Sequence, residues 1–178
     1  MNADGTGVRR VTSLSAGRPY AIDLFWPIWS PDGKQLVFEV QHFATADPPN
    51  RRALFVVNVD GSGLRQLTPW SLNAGGRPDW SPDGRLILFR TVSPTNRHHG
   101  NLYTIRPDGT GLRKLTSYPA PKTVLNGSFS PDGKWIAFSR FSDTPYPAVY
   151  VMRSDGTGVR RVTRNVAVYD LDWGPRRR

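Results

Sequence analysis

The chain has 178 residues, a hydrophobic fraction of 38% and a formal net charge of +10, which suits one domain with a core or a few small units packed in a row. No apolar run approaches the ~18 residues that a membrane span needs, and the opening "MNADGTGVRR" holds no apolar signal segment. Cysteine is absent, which excludes disulfides, thiolate metal sites and cysteine nucleophiles together.

In chain order, "DGTGVRRVT" at 4–12 comes first, and its residues 8–12 read as an outer strand. A strand then runs into "WSPDGK" at 29–34. There Pro31 presets φ, Asp32 bonds to the backbone two residues on, and Gly33 admits a positive φ, so a tight turn is specified. "QLVFEV" and "ALFVVNV", rich in branched and aromatic residues, read as the second and third strands. "DGSGLRQLT" at 60–68 supplies a second turn and a fourth strand. The same order returns from "WSPDGR" at 80–85 to "DGTGLRKLT" at 108–116, and again from "FSPDGK" at 129–134 to "DGTGVRRVT" at 155–163. A last strand, "AVYDLDWG", occupies 167–174. No window shows a helical period with caps, so no helix is expected.

The spacing identifies the architecture. Trp29 to Trp80 is 51 residues, Trp80 to Phe129 is 49, and the later Asp-Gly phrases are 48 and 47 apart, close to the ~40 to 50 residues of a propeller blade. The expectation is an all-β propeller of four-stranded antiparallel blades forming one segment over 1–178. Complete blades are placed at about 24–68, 77–116 and 125–163, with an outer strand at 8–12 and an inner strand at 167–174, an open arc of a larger propeller. A four-stranded sheet with two apolar faces must stack on its copies, so Trp29, Trp80, Phe129 and Trp173 are read as aromatics packed between blades.

"WSPDGK", "WIAFSR", "VYVMRSDGTG" and "RRVT" together resemble the repeat of TolB-like β-propellers, over nearly the whole chain. That resemblance implies a non-catalytic scaffold for a protein or peptide partner, in a periplasmic or secreted setting. The same repeat also builds propeller domains of prolyl-oligopeptidase-like enzymes, so a fragment of such a hydrolase or of another exported propeller enzyme is the alternative. Met1 precedes Asp4 by three residues as Met152 precedes Asp155, so the chain is expected to be a carboxy-terminal portion of a longer propeller or to start at an internal methionine. If each end of an open arc left ~500 Å² of apolar face in water, the loss would be on the order of 12 kcal/mol per end. A homodimer that closes the arc is therefore a further expectation.

Catalytic and cofactor chemistry find little support. Seven of the 14 acidic residues sit in Asp-Gly turns, where their task is local hydrogen bonding. There is no Gly-x-Ser-x-Gly elbow and no phosphate-binding loop, and no cofactor is expected. His42, His98 and His99 fall in connections between second and third strands, without the ligand set of a metal site. Arg9, Arg10, Arg65, Arg113, Lys114, Arg160 and Arg161 lie on fourth strands, where charge discourages edge-to-edge pairing. A nucleic-acid groove would gather charge with stacking aromatics on one face, so a nucleic-acid partner is disfavoured.

Recognition is instead expected where the repeats vary. Connections from second to third strand and from blade to blade share one face, opposite the uniform turns, and carry Phe43, Arg51, Arg52, Trp70, Arg97, His98, His99, Tyr118, Lys122, Phe141 and Tyr146. Aromatic and arginine residues are the usual anchors of an interface. Three positions before each blade-closing aromatic lie Trp26, Arg77, Asn126 and Asp170, which differ from blade to blade and are placed at the channel mouth.

Overall fold

A computed structural model describes residues 4–12, 21–43, 51–93, 99–119, 122–141, 146–163, 168–169 and 171–173. It contains three four-stranded antiparallel sheets, each a meander in sequence order. The first is β1 (Ala21–Trp29), β2 (Gln35–Phe43), β3 (Arg51–Asn58) and β4 (Arg65–Gln66). The second is β5 (Ala74–Trp80), β6 (Ile87–Thr91), β7 (Leu102–Ile105) and β8 (Arg113–Lys114), and the third β9 (Thr123–Phe129), β10 (Trp135–Phe141), β11 (Ala148–Arg153) and β12 (Arg160–Arg161). A single 3-10 turn, Trp70–Leu72, joins the first sheet to the second. Sheet packs on sheet in chain order, and among the first strands β1 lies against β5 and β5 against β9. The sheets are therefore blades of an unclosed propeller, with their first strands on the inner wall.

The core lies between blades. Val37, Leu54, Val56 and Leu67 of the first blade meet Ala74, Trp80, Ile87, Phe89 and Ile105 of the second. Leu88 and Leu102 on the other face of the second blade meet Val124, Phe129, Ile136, Phe138 and Met152 of the third. Alternation along β6 explains this division, since successive side chains of a strand leave on opposite faces. Gly127 belongs to the same fit, because a Cβ there would come within 3.1 Å of Leu88 and 3.4 Å of Leu102.

Three expectations change on contact with the fold. Trp80 and Phe129 are 6% and 5% exposed, but Trp29 is 56% exposed, because among the described residues no blade lies on its side of β1. The segments expected as lone strands at 8–12 and 167–174 carry no strand among their described residues, since a ladder needs a neighbouring strand of the same blade. They dock nonetheless. Val11 packs on the face of the first blade built from Phe38, Val40, Phe55 and Val57. At the far end Val168 N–H donates to Pro147 O, the Ser139 hydroxyl donates to Val168 O, and Trp173 Nε1 donates to Ser128 O at 2.9 Å. Described residues of both end segments thus touch the outer blade faces. Leu24, Trp26 and Trp29 of β1 are among the exposed large hydrophobic residues.

Candidate functional site

The meander places the turns between first and second strands and between third and fourth strands at one end of every blade, and the remaining connections at the other. Turn-end chemistry is the same in each repeat. Ser30, Ser81 and Ser130 each donate a hydroxyl hydrogen bond to the aspartate two residues on and accept one from the backbone N–H five residues on. Asp60, Asp108 and Asp155 accept the backbone N–H and the hydroxyl of the Ser or Thr two residues later. The Ser62 hydroxyl and then its N–H hold the Asp60 carboxyl below the usual carboxylate range. Clefts of about 410 and 400 Å³ separate consecutive blades here, the first holding Pro31, Asp32, Pro82 and Asp83, the second Pro82, Asp83, Pro131 and Asp132.

The fourth-strand arginines do more than blunt an edge. Arg9 Nη2 donates to Val59 O at 2.6 Å, Arg65 Nη2 to Pro107 O, and Arg113 Nη2 to Asp155 O at 2.8 Å. In each case the arginine of one repeat grips the Asp-Gly turn of the next. Arg160 occupies the fourth equivalent position and is exposed.

At the connection end, polar contacts between blades change with the repeat. Glu39, Arg90 and Ser139 hold equivalent positions on second strands, and each reaches the first strand or segment that follows: Glu39 accepts the Gly76 N–H at 2.6 Å, Arg90 Nη1 donates to Val124 O at 3.0 Å, and Ser139 bonds Val168 O. Glu39 is 1% exposed and pairs with Arg52 Nη1 at 3.3 Å. Burial pushes its carboxyl up, against the opposing pull of Arg52 and of the Gly76 N–H. Burial, reinforced by the charge of Arg52, lowers Arg90.

The third blade adds an arrangement without counterpart in the others. The Arg140 guanidinium lies 3.9 Å from the centre of the Tyr150 ring and 4.4 Å from that of Tyr118. Tyr150 is itself stacked on Phe138 at 5.7 Å, and Tyr118 is anchored by its N–H to Asn101 Oδ1 at 2.8 Å. Arg140 stands opposite Val124 in the ladder, whose carbonyl takes the bond from Arg90. Both arginines thus line the seam between the second and third blades, and the Nε of each is buried without a hydrogen-bond partner.

Of the residues expected to carry recognition, Tyr118, Lys122, Phe141 and Tyr146 surround or adjoin this cleft by sequence position, and His99 joins them, with Nδ1 3.3 Å from Lys122 O. Tyr146 is 61% exposed, and Phe141 meets Tyr169 edge-on at 6.3 Å. Trp26 is 51% exposed at a bulge between Phe25 and Ile28, with φ of 55°. Gly76 has a φ of 77° in the matching bulge of β5, so Trp26 holds a left-handed conformation that costs ~1 kcal/mol or more for a side chain other than glycine. Asn126 Nδ2 donates to Tyr169 O at 3.4 Å, and Arg77 contributes charge near Asp79. Trp70 packs within 5.9 Å of Phe55 and 5.8 Å of His42, which makes it a blade contact. Arg51 pairs with His42 and Phe43 with Ala21 in the ladders, and Arg52 is committed to Glu39. Arg97, His98 and Asp170 lie outside the described residues.

Sequence reasoning missed Arg140, Arg90, Glu39 and Tyr150. The available signal was that charged residues interrupt otherwise apolar second strands. Among the described residues no three His, Cys, Asp or Glu side chains come together as metal ligands, and no helix is long and apolar enough to cross a membrane. The inner wall carries one more polar group: Asp79 accepts the Phe129 N–H at 2.7 Å and the Ser128 hydroxyl at 3.1 Å, and Asp172 stands 3.5 Å from that hydroxyl. Burial pushes Asp79 up to about 6 against those two hydrogen bonds, and the charge of Asp172 adds to the rise.

Comparison with known proteins agrees with the blade architecture. No family model matches. Dipeptidyl-peptidase 5 of Porphyromonas endodontalis is 36% identical over 110 residues, covering 62% of this chain and 15% of that protein. The Tol-Pal system protein TolB of Alcanivorax borkumensis is 28% identical over 87 residues, 49% of this chain and 18% of its own length. The crystal structure of TolB from Acinetobacter baumannii superposes with a TM-score of 0.60 at 19% identity, over 80% of this chain and 33% of that one. The chain has the fold of a TolB-like propeller segment, and it spans less than a quarter of the length of these curated relatives.

Proposed function

We propose that this propeller segment is a non-catalytic interaction module that binds a protein or peptide through its connection end. The observation that carries the reading is the contrast between the two ends. The turn end repeats one set of Ser and Asp bonds, whereas the connection end of the third blade gathers Arg140, Tyr118 and Tyr150 beside the exposed Tyr146. Aromatic and arginine side chains held rigidly at a partly exposed site are the usual source of binding energy. Kinship with Tol-Pal system proteins supports a protein partner and an exported setting.

Selection of peptides from a random library on the purified chain tests this. Binding that falls at least tenfold in Tyr146→Ala and is unchanged in Lys34→Ala, at the turn end, supports the reading, and the reverse pattern refutes it. The likeness to dipeptidyl-peptidase 5 favours a second reading, in which the segment is the propeller part of a peptidase. A reading frame for an α/β-hydrolase domain in the parent gene is the observation that would decide for it.

A further inference from the structure

We propose that the cleft between the second and third blades, centred on Arg140, is a receptor for a carboxylate of the bound peptide. The proposal rests on the connection-end reading above and names the chemistry of its ligand.

Two features of Arg140 point to an anion. The Arg140 guanidinium lies over both the Tyr118 and the Tyr150 ring, at 4.4 and 3.9 Å, which restrains it and leaves its edge as the direction for hydrogen bonding. No hydrogen bond or ion pair reaches that edge among the described residues, although Arg140 is only half exposed and Nε is buried without a partner. Arg90, on the same seam, is committed to the Val124 carbonyl and does not fill that edge. Glu39, on the first blade, is already taken by Arg52 and the Gly76 N–H.

A planar fork held by stacking loses little further freedom on binding, and its geometry matches a carboxylate in bidentate fashion. The tyrosines also limit water at the guanidinium, which strengthens an ionic hydrogen bond there. A merely structural cation–π contact would not need to leave the hydrogen-bonding edge unmatched. Two sources of the ligand group share this chemistry, an Asp or Glu side chain and a peptide carboxy terminus.

The test is an NMR titration of the Arg140 Nε–Hε resonance in the intact chain with three capped probes. These are acetyl-Gly-Glu-Gly-amide, acetyl-Gly-Gly-Ala with a free carboxylate, and acetyl-Gly-Gln-Gly-amide. The expected result is a saturable shift with at least one carboxylate probe and none with the glutamine probe, and the responding probe identifies the source. Arg140→Lys should weaken that binding at least fivefold and Arg140→Gln abolish it, while Arg85→Gln at the turn end leaves it unchanged. Equal response to the glutamine probe, or no response of Arg140 to either carboxylate in the folded wild-type chain, overturns the proposal. Library peptides that need Tyr146 but bind Arg140→Gln as tightly as wild type also overturn it and leave the connection-end reading intact. A carboxylate response at Arg140 without any Tyr146-dependent peptide keeps the receptor and removes that reading.

Discussion

Asp79→Asn changes one atom on the inner wall, and its effect on stability should depend on pH in a defined direction. Asp79 has a carboxyl raised from 3.8 to about 6, chiefly by burial. Between those two values the folded chain holds a proton on Asp79 that the unfolded chain has lost, so stability falls as pH rises through this window. About two pH units at 1.36 kcal/mol each give a loss of about 3 kcal/mol, complete somewhat above pH 6. Asn stands in for the protonated acid: its amide oxygen can still accept the Phe129 N–H, at 2.7 Å in the wild type, and it carries no charge to desolvate. Urea unfolding of both proteins from pH 3.5 to 8, with midpoints and slopes fitted together, should show Asp79→Asn gaining about 3 kcal/mol on the wild type across that range. The difference isolates Asp79 from the turn carboxylates, whose lowered values act in the opposite sense and at lower pH. Parallel curves, or a variant that loses ground as pH rises, would refute the account of a buried and reluctantly ionised Asp79.

Three other substitutions test the contacts between and within blades. Arg113→Ala removes the bond to Asp155 O and should cost about 1 kcal/mol in the same assay, whereas Arg160→Ala, at an exposed position that grips no turn among the described residues, should stay within about 0.5 kcal/mol of wild type. Equal costs at the two sites would show that the arginines act by some route other than the next turn. Ser130→Ala deprives Trp135 N–H of its acceptor and Asp132 of its donor at a position 4% exposed, for a loss of about 1–3 kcal/mol by denaturant unfolding. Gly75→Ala would place a Cβ 2.6 Å from Arg52 Cδ and 3.1 Å from Glu39 Oε2; displacement of Arg52 from its buried partner should lower stability by about 1–3 kcal/mol, and an unchanged midpoint would mean that the ion pair has slack.

The blade pattern was legible because its determinants are local. In the Ser-Pro-Asp-Gly turn every bond spans two to five residues, as between Ser30, Asp32 and Gln35, so the phrase carries its own geometry wherever it stands. Strand alternation likewise requires only neighbours in sequence. The serine's part in that turn was less legible, since a hydroxyl that serves both an aspartate and a backbone N–H looks from the sequence like any turn serine.

Tertiary structure decided everything that depends on which blade stands next to which. Trp29 and Trp80 sit in the same six-residue context, yet one is exposed and the other buried, because only Trp80 has a blade on its side. The fourth-strand arginines read as edge charges until their acceptors, 42 to 50 residues away, came into reach. Arg140 is a strand residue like many others in the sequence. What makes it a candidate receptor is that Tyr118 arrives from the preceding connection and Tyr150 from the neighbouring strand, and no local pattern encodes that meeting. A repeat specifies each unit through short-range bonds, whereas its binding chemistry arises at seams between units, where residues distant in the chain are brought together by packing alone.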